Sequence, residues 1–416
     1  MPAVAISWER VPAVVRALLD RLTASGHEAV LVGGCVRDLA RGVAVRDWDV
    51  ASSADLAALL ALFPSAVPIG ARFGTVMVPT PAGPVDVTRY RGEAGTLAAD
   101  LARRDFTLNA AALRPGDEEP FDPFGGLADL AASRLAAVGD ARARLAEDPL
   151  RALRAARLVA ELDLRVDPAL EAALPGAAGG LARVAAERVR SELERMLVAP
   201  RAGRGLALLR SSGLEAVLAP GAAPDAAARV DALPAERTVR LAAWLRGTTA
   251  ARILAAWRMP VARAREVEAL LALHPVDETV RPREPAVRRL LQRAGETGTE
   301  RLFALREAEL ATGAAPPEAA ARLAALRETL AAVRRHGALA LARTDLALDG
   351  RAVMATLGRG PGPWVGRALH YLTECVLDDP DCNTPEALRE RLAAWAASQP
   401  ELARGEPARH RGVPRP

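Results

Sequence analysis

The pattern of hydrophobic and polar positions divides the chain into two parts. In roughly the first third, short apolar runs are separated by glycine and proline, which is typical of strands and the turns between them. From about residue 140 onward, apolar residues recur at helical spacing with almost no strand signal. The pattern therefore predicts a small mixed sheet with helices followed by a long helical region, an α+β fold. The predicted strands are a run ending at Gly33 and Gly34 and residues 46–50, 66–69, 74–78 and 85–90, and the predicted helices include 8–25, 36–41, 54–63, 147–162 and 185–197.

The stretch from Leu31 to Ser53, LVGGCVRDLARGVAVRDWDVASS, combines two features that suit a phosphate-bearing substrate. Its glycines end a strand in a tight turn, and the helix start that follows presents backbone N–H groups to an anion. Arg37 adds guanidinium donors beside that turn. In the next strand, the two-residue side-chain period directs Asp47 and Asp49 to one face and Trp48 to the other.

Two carboxylates on one strand face repel each other unless a cation lies between them. Oxygen ligands of this kind favour Mg²⁺, which also takes oxygens from a substrate phosphate. A phosphate turn followed by a carboxylate pair therefore favours nucleotidyl transfer. Each motif alone is more often a βα turn or a solvated acidic edge, and only the combination favours catalysis. Asp86 alternates with apolar neighbours, so it is either a third carboxylate beside the pair or an exposed charge.

Two further segments carry arginines that suit a triphosphate. Arg103, Arg104 and Asp105 precede an apolar helical run, where an arginine pair can clamp phosphates, although such a triplet is more often a surface ion-pair cluster. Within 147–162, four polar residues follow one another at steps of three and form a stripe that curves round the predicted helix. The alternative is a solvated helix with salt bridges. The stripe consists of Asp148, Arg151, Arg154 and Arg157.

Composition narrows the class of protein. The net charge of +4 and the pI of about 9.5 permit a polyanionic partner without demanding one. Cys35, Cys375 and Cys382 have neither zinc-site spacing nor the even count of a disulfide framework, which fits a reducing cytoplasm. The five histidines are scattered, so no metal is assigned to them. No apolar run approaches membrane-spanning length and no signal peptide is evident, so we expect a soluble cytoplasmic protein.

Taken together, these motifs resemble the class II tRNA nucleotidyltransferases, the bacterial enzymes that build or repair the CCA end of tRNA, and their poly(A) polymerase relatives. The resemblance extends through most of the chain. It rests on GGCVRD with DWD, FGTVMV, VDVTRYR, RRDFTLNA, DPFGGLADL, EDPLRALRAARLVAEL, AERVRSEL and the GPGPW region. It implies a head of the polymerase-beta nucleotidyltransferase type (1–137), a helical neck that recognises the nucleotide (138–200), and a body (201–325) and a tail (326–416) that bind tRNA. The Pro- and Arg-rich composition of Arg404 to Pro416 separately predicts a disordered end.

The resemblance also implies roles for individual residues. Asp47 and Asp49 would hold Mg²⁺ in a two-metal site. Asp86 joins them as a candidate catalytic carboxylate because of the alternation in its own strand, and not because of the resemblance. Gly34 and Arg37 would contact the triphosphate, Arg104 the nucleotide, and the four residues of the neck stripe, Asp148, Arg151, Arg154 and Arg157, would line the nucleotide pocket.

The implied reaction is in-line attack by the tRNA 3′ hydroxyl on the α-phosphate of a nucleoside triphosphate, with release of pyrophosphate. Cytosine and adenine each place an amino donor beside a ring-nitrogen acceptor, so a carboxylate at Asp148 and a guanidinium at Arg151 satisfy either base. Uracil and guanine reverse that order and would leave buried groups unpaired. The protein would therefore select the base without a nucleic-acid template.

One departure from the family pattern concerns the segment between VDVTRYR and RRD. Full CCA-adding relatives carry an extra flexible loop here, whereas this chain has only GEAGTLAADLA, about a dozen residues where those relatives have roughly twice as many. Family members that add only the two cytidines also lack the loop. The sequence therefore predicts a CC-adding enzyme that uses CTP, with a separate A-adding enzyme acting on its product.

Four alternatives stay open from the sequence. Within the enzyme class they are full CCA addition with CTP and ATP, and poly(A) polymerase activity. The third alternative is an RNA-binding module with an inert catalytic centre, which is not an enzyme. The fourth is a nucleotidyltransferase that acts on a small molecule or a protein.

Overall fold

The computed structural model describes residues 6–70, 74–92, 94–336, 343–399 and 402. These residues form two compact units. The first comprises the chain up to Ala227 together with Gly247–Met259, and the second comprises Ala228–Arg246 together with the chain from Pro260 onward. The predicted disordered end, Arg404–Pro416, lies outside the described residues.

The first unit begins with a six-stranded mixed sheet in the order β3-β4-β5-β2-β1-β6. Strands β2 and β5 pair in parallel, and the other neighbouring strands pair antiparallel. The predicted strands are all present, with bounds that shift by one or two residues, and a short sixth strand joins them. The strands are β1 Ala29–Val32, β2 Trp48–Ser52, β3 Val67–Gly70, β4 Thr75–Val78, β5 Val85–Arg89 and β6 Ala112–Leu113.

Helices lie on both sides of this sheet, which explains why β1 is an unbroken apolar run. All four β1 residues are buried: Leu31 belongs to one core cluster, while Val30 and Val32 belong to the cluster on the opposite face. The helices of the sheet region are α1 Ala13–Ala24, α2 Gly34–Ala40, α3 Leu56–Leu62, α4 Leu97–Leu101 and α5 Gly126–Ala131, with short 3₁₀ helices at Trp8–Arg10 and Thr107–Asn109.

The rest of the first unit is almost entirely helical, as the periodicity predicted. A two-stranded parallel ribbon, β7 Arg134–Leu135 with β8 Arg165–Val166, joins the two regions. The helices are α6 Ala141–Glu147, α7 Leu150–Leu162, α8 Pro168–Ala173, α9 Ala178–Leu181, α10 Ala186–Leu197, α11 Ala202–Ser211 and α12 Leu214–Leu218, with a 3₁₀ helix at Leu174–Ala177. The α+β class predicted from the sequence is therefore confirmed.

The predicted continuous helix over 147–162 is wrong at its start. Helix α6 ends at Glu147, Asp148 is extended (φ −145°, ψ 100°), and α7 begins at Leu150. Pro149 explains the break, because a proline disfavours helical backbone at the residue before it. Asp148 therefore lies at a junction between two helices, and only the three arginines of the predicted stripe are on α7.

The second unit consists of helices in the described residues. A helix at Ala226–Asp231 (α13) crosses from the first unit to the second, and Ala250–Ala256 (α15) returns to the first. No described helix is long and apolar enough to cross a membrane. The remaining helices are α14 Arg237–Leu245, α16 Val261–Leu273, α17 Val276–Thr279, α18 Glu284–Ala311 with a kink at Gly295, α19 Glu318–His336, α20 Gly350–Leu357, α21 Pro363–Asp378 and α22 Pro385–Ala397, with 3₁₀ helices at Arg343–Asp345 and Pro380–Cys382.

Helix packing in the first unit gives a testable prediction at Gly205. A Cβ on this α11 glycine would lie 2.8 Å from the carbonyl oxygen of Ala156 on α7 and 2.7 Å from Sδ of Met196 on α10. Gly205→Ala should therefore lower the free energy of unfolding by about 1–3 kcal/mol, as overpacking does. Urea unfolding measures this change.

The matched control is Gly179→Ala, because a Cβ at this exposed helical glycine would meet nothing within 4 Å. Its stability should be unchanged or raised by up to about 1 kcal/mol. Equal stability changes for both variants would contradict close packing at Gly205.

Candidate active site

A glycine turn brings the backbone close to a guanidinium at the end of β1. Gly33 has φ 77° and ψ −133°, a conformation that side-chain-bearing residues rarely adopt. A Cβ at this position would lie 2.8 Å from Nη1 of Arg104 and 3.7 Å from Oδ2 of Asp49. The glycine thus allows strand, arginine and carboxylate to meet at one point.

The acidic residues meet on the parallel strands β2 and β5. Asp49 is in register with Asp86, and Asp47 directly precedes β2. Burial raises the pKa of Asp49 to about 6; Arg104 opposes this rise, and the neighbouring charges of Asp86 and Asp47 add to it. Burial and the charge of Asp47 also raise the pKa of Asp86. The three carboxylates therefore repel one another in a partly desolvated place, and of the two interpretations of Asp86 the structure favours the third carboxylate.

The arginines of the sheet region are held by specific acceptors. Arg37 is buried and donates from Nη1 to Oδ1 of Asn109 (2.7 Å) and from Nε to Oδ1 of Asp38 (3.0 Å). Arg104 donates from Nε and Nη2 to Oδ2 of Asp100, at 3.1 and 3.0 Å. These contacts fix where each guanidinium lies along the cleft.

Residues at the junction of α6 with α7 and along α7 face the same space. Asp148 accepts from the backbone N–H of Leu150 (3.1 Å) and from Nη2 of Arg188 (2.8 Å). Arg151 donates from Nη2 to the carbonyl oxygen of Arg103 (3.0 Å) and from Nη1 to Glu147 (2.9 Å).

The other two arginines of α7 are also paired. Nε of Arg154 lies 2.9 Å from Oδ2 of Asp105. Arg157 is buried between Glu161 and Glu192, so much of its donor capacity is used within the protein.

A single cleft of about 1780 Å³ in the first unit collects most of these side chains. Nine of the ten sequence-predicted site residues line it: Gly34, Arg37, Asp47, Asp49, Arg104, Asp148, Arg151, Arg154 and Arg157. Asp86, beside Asp49 on the adjacent strand, is not among the residues that line the cleft.

Sequence reasoning assigned no role to several other residues that line the cleft, among them Asp105, Asn109 and Arg188. Each belongs to a motif that supports the resemblance, RRDFTLNA or AERVRSEL, and that membership was the available signal.

The described residues contain no group of three or more histidine, cysteine or carboxylate side chains placed to hold a metal ion unaided. A cation here would therefore need oxygens from a substrate as well as from Asp47 and Asp49. This is the coordination that Mg²⁺ commonly takes in phosphate-transferring sites.

Three family models match successive parts of the chain. They describe the poly A polymerase head domain (residues 29–136), the probable RNA and SrmB-binding site of polymerase A (163–226) and a putative tRNA nucleotidyltransferase domain 2 (238–392). The CCA-adding enzyme of Geobacillus stearothermophilus is 32% identical over 414 residues, covering 91% of this chain and 95% of the relative. The chain is a tRNA nucleotidyltransferase of the CCA-adding family. The family predicted from the motifs is therefore confirmed.

Two further relatives help to describe this tRNA nucleotidyltransferase. The crystal structure of the Bacillus stearothermophilus CCA-adding enzyme in complex with CTP aligns with a TM-score of 0.73 at 30% identity, covering 92% of this chain and 97% of that one. The CC-adding tRNA nucleotidyltransferase of Shouchella clausii is 42% identical over 192 residues, which is 46% of this chain and 50% of the relative.

The close approach at Gly33 gives a second prediction. In Gly33→Ala, the new Cβ would displace the guanidinium of Arg104, and a shift of about 1 Å in a positioning group can cost about 10²-fold in rate. We expect kcat/KM for nucleotide addition to fall by about that factor. Steady-state incorporation of labelled nucleotide into tRNA measures it.

Gly26→Ala is the matched control. Gly26 also has positive φ (84°), but a Cβ there would meet nothing within 4 Å and the residue does not line the cleft. It should share the backbone strain and keep its activity. If both variants lost activity equally, strain rather than the contact with Arg104 would be the cause.

Proposed function

We propose that this enzyme adds the two cytidines of the CCA end, transferring CMP from CTP to the 3′ hydroxyl of tRNA with release of pyrophosphate. A separate A-adding enzyme would act on the product. The observation that carries the proposal is one cleft lined both by Asp47 and Asp49 and by Asp148 and Arg151. Such a cleft can hold the reacting phosphate and select a base at the same time.

Base selection follows from the fixed geometry of Asp148 and Arg151. Each Asp148 oxygen already accepts one hydrogen bond and keeps a lone pair for the amino group of cytosine. Arg151 is held by Glu147 and by two backbone carbonyls, so its guanidinium cannot easily turn away. A rigid donor and acceptor pair leaves uracil and guanine unpaired, which rejects them by about 10⁴-fold in sites of this type.

The phosphates would lie between the sheet and α7, where Gly34, Arg37, Arg104, Arg154 and Arg157 line the cleft. Asp47 and Asp49 fit Mg²⁺ because both supply oxygen ligands and because a cation between them would relieve their mutual repulsion. When bound, Mg²⁺ supplies charge neutralisation at the α-phosphate and favours ionisation of the attacking hydroxyl. From the adjacent strand, the negative charge of Asp86 would strengthen the attraction of the Asp47 and Asp49 pair for a cation. The helices beyond the neck, in the proposed body (201–325) and tail (326–416), would hold tRNA.

The restriction to cytidine is supported by the segment that follows β5. Residues 97–101 form the short helix α4, which Thr96 caps by accepting from the N–H of Ala99. Gly92 packs closely against this helix, since a Cβ there would lie 3.2 Å from Cβ of Ala99. The described residues of this segment leave no length for a strand and a mobile loop together.

Full CCA addition is the second candidate. It is favoured by the similarity to CCA-adding enzymes along nine-tenths of the chain, whereas the CC-adding relative matches under half of it.

A tRNA that lacks its 3′ end distinguishes these candidates. Incubation with CTP alone should extend it by two nucleotides, and adding ATP should not lengthen the product, because the segment after β5 is short. Denaturing gel electrophoresis resolves each added nucleotide. A third nucleotide in the presence of ATP would establish full CCA addition, and long adenosine tails would indicate a poly(A) polymerase.

The carboxylate pair gives a prediction about Mg²⁺. Asp49→Asn should lower CMP incorporation by about 10³-fold or more, because an amide replaces a charged ligand. In the unmodified enzyme, the Mg²⁺ concentration for half-maximal activity should rise as pH falls through about 6, since protons then compete for Asp49.

Asp55→Asn is the control for this substitution. Asp55 caps α3 by accepting from the N–H of Ala58, a role that asparagine also fills, and it does not line the cleft. Activity of Asp49→Asn comparable to that of Asp55→Asn would rule out Asp49 as a ligand.

A further inference from the structure

Asn109 lies between two charged groups that belong to different parts of the cleft. Its Oδ1 accepts from Nη1 of Arg37 at 2.7 Å, and its Nδ2 donates to Oδ1 of Asp105 at 3.2 Å. Oδ2 of Asp105 lies 2.9 Å from Nε of Arg154. A continuous polar chain therefore runs from α2 beside the glycine turn, through the 3₁₀ helix at 107–109, to α7.

The orientation of the Asn109 amide follows from its partners. A guanidinium can only donate and an ionised carboxylate can only accept, so Oδ1 must face Arg37 and Nδ2 must face Asp105. Burial would raise the pKa of Asp105, but Arg154, the Asn109 amide and the N–H of Phe106 together lower it. Asp105 is therefore a carboxylate.

The inner members of this chain are secluded from solvent. Arg37, Asp105 and Asn109 are 9%, 7% and 6% exposed, so their contacts are little weakened by water. The side chain at position 109 must donate to a carboxylate and accept from a guanidinium, and an amide of this size does both. Aspartate at the same position would face Asp105 with a second negative charge, and alanine would leave both partners incomplete.

We propose that Asn109 is a positioning residue that couples the arginine at the triphosphate end of the cleft to the base-selecting side of the neck. This inference rests on the proposed function, which places the triphosphate near Arg37 and the base near α7. Both polar atoms of the Asn109 side chain are engaged by Arg37 and Asp105, so its proposed effect passes through these partners. It sets the position of Arg154 through Asp105, so that a base seated correctly on α7 brings its phosphates into reach of Arg37.

The test uses Asn109→Ala and the nearly isosteric Asn109→Asp, which keeps the side-chain volume if alanine unfolds the protein. Both should lower the ratio of kcat/KM for CTP over UTP by about tenfold, the typical result of losing one hydrogen bond to a charged group. KM for tRNA should stay unchanged. This ratio does not depend on the fraction of folded enzyme, so a role in stability alone would not alter it.

Thr107→Val is the matched control. Thr107 belongs to the same 3₁₀ helix and donates a buried hydrogen bond to Asp129 at 2.6 Å, but it does not line the cleft. It should lower stability and keep the CTP over UTP ratio. A reduced ratio in this variant too would assign the effect to general loosening and overturn the inference.

A double-mutant cycle with Arg154→Ala tests whether Asn109 acts through Asp105 and Arg154. If Asn109 acts through Asp105 and Arg154, Asn109→Ala should change the ratio less than about twofold in the Arg154→Ala background, because contacting residues are not additive. Full additivity would overturn the proposed route.

Calorimetric binding of CTP and of UTP to the same variants separates this inference from the proposed function. If the unmodified enzyme adds no CMP, the proposed function fails, yet the binding ratio still tests Asn109. A binding preference for CTP that is equal in the unmodified enzyme and both Asn109 variants would overturn the inference alone.

Discussion

Repulsion between carboxylates on adjacent parallel strands is the constraint on which the active cleft depends. Parallel pairing of β2 with β5 places Asp49 beside Asp86, and the chain entering β2 brings Asp47 to the same end. Burial makes this arrangement costly, as the raised pKa values of Asp49 and Asp86 indicate. Arg104 offsets part of the charge, and it can approach only because residue 33 is a glycine. The glycine turn, Arg104 and the pairing of β2 with β5 therefore together set the balance of charge at this end of the cleft.

The opposite wall of the cleft follows a different principle, in which most arginines are already paired. Arg151, Arg154 and Arg157 each contact at least one carboxylate, so their positions are fixed before a substrate arrives. Pairing reduces the net attraction of each guanidinium for phosphate, but in the proposed base pocket it would remove the freedom to accommodate a wrong base. A site that discriminates by unpaired hydrogen bonds needs this rigidity more than it needs raw affinity.

Local rules predicted much of this molecule from its sequence. Apolar runs between glycines and prolines located the strands, and the Asp47 and Asp49 pair followed from a period of two. Pro149 carried the signal for the helix break, but helical periodicity across it was given more weight. Asp86 could not be decided locally, because its alternation suits an exposed face equally well and only the pairing of β2 with β5, strands far apart in the chain, places it beside Asp49.

Contacts between distant segments account for what the sequence left out. Arg157 looked like one more member of a stripe, but Glu192 of α10 reaches it from 35 positions away. Asn109 and Arg37 are 72 positions apart and meet only because α2 packs beside the 3₁₀ helix. No spacing rule relates such pairs, so these roles emerge only from three-dimensional structure.

The proposed stop after two cytidines depends on whether the proposed base pocket can change its arrangement. Cytosine and adenine present the same order of donor and acceptor but differ in size, so a site that accepts both in turn must change shape between them. The neck wall is braced by ion pairs, and on the sheet side the segment after β5 is a short capped helix in its described residues. Neither element offers an obvious means of adjustment. In the proposed reaction, the same rigidity that selects cytosine would keep adenine from binding once two cytidines have been added. Synthesis would stop at that point because of the geometry that selects the base.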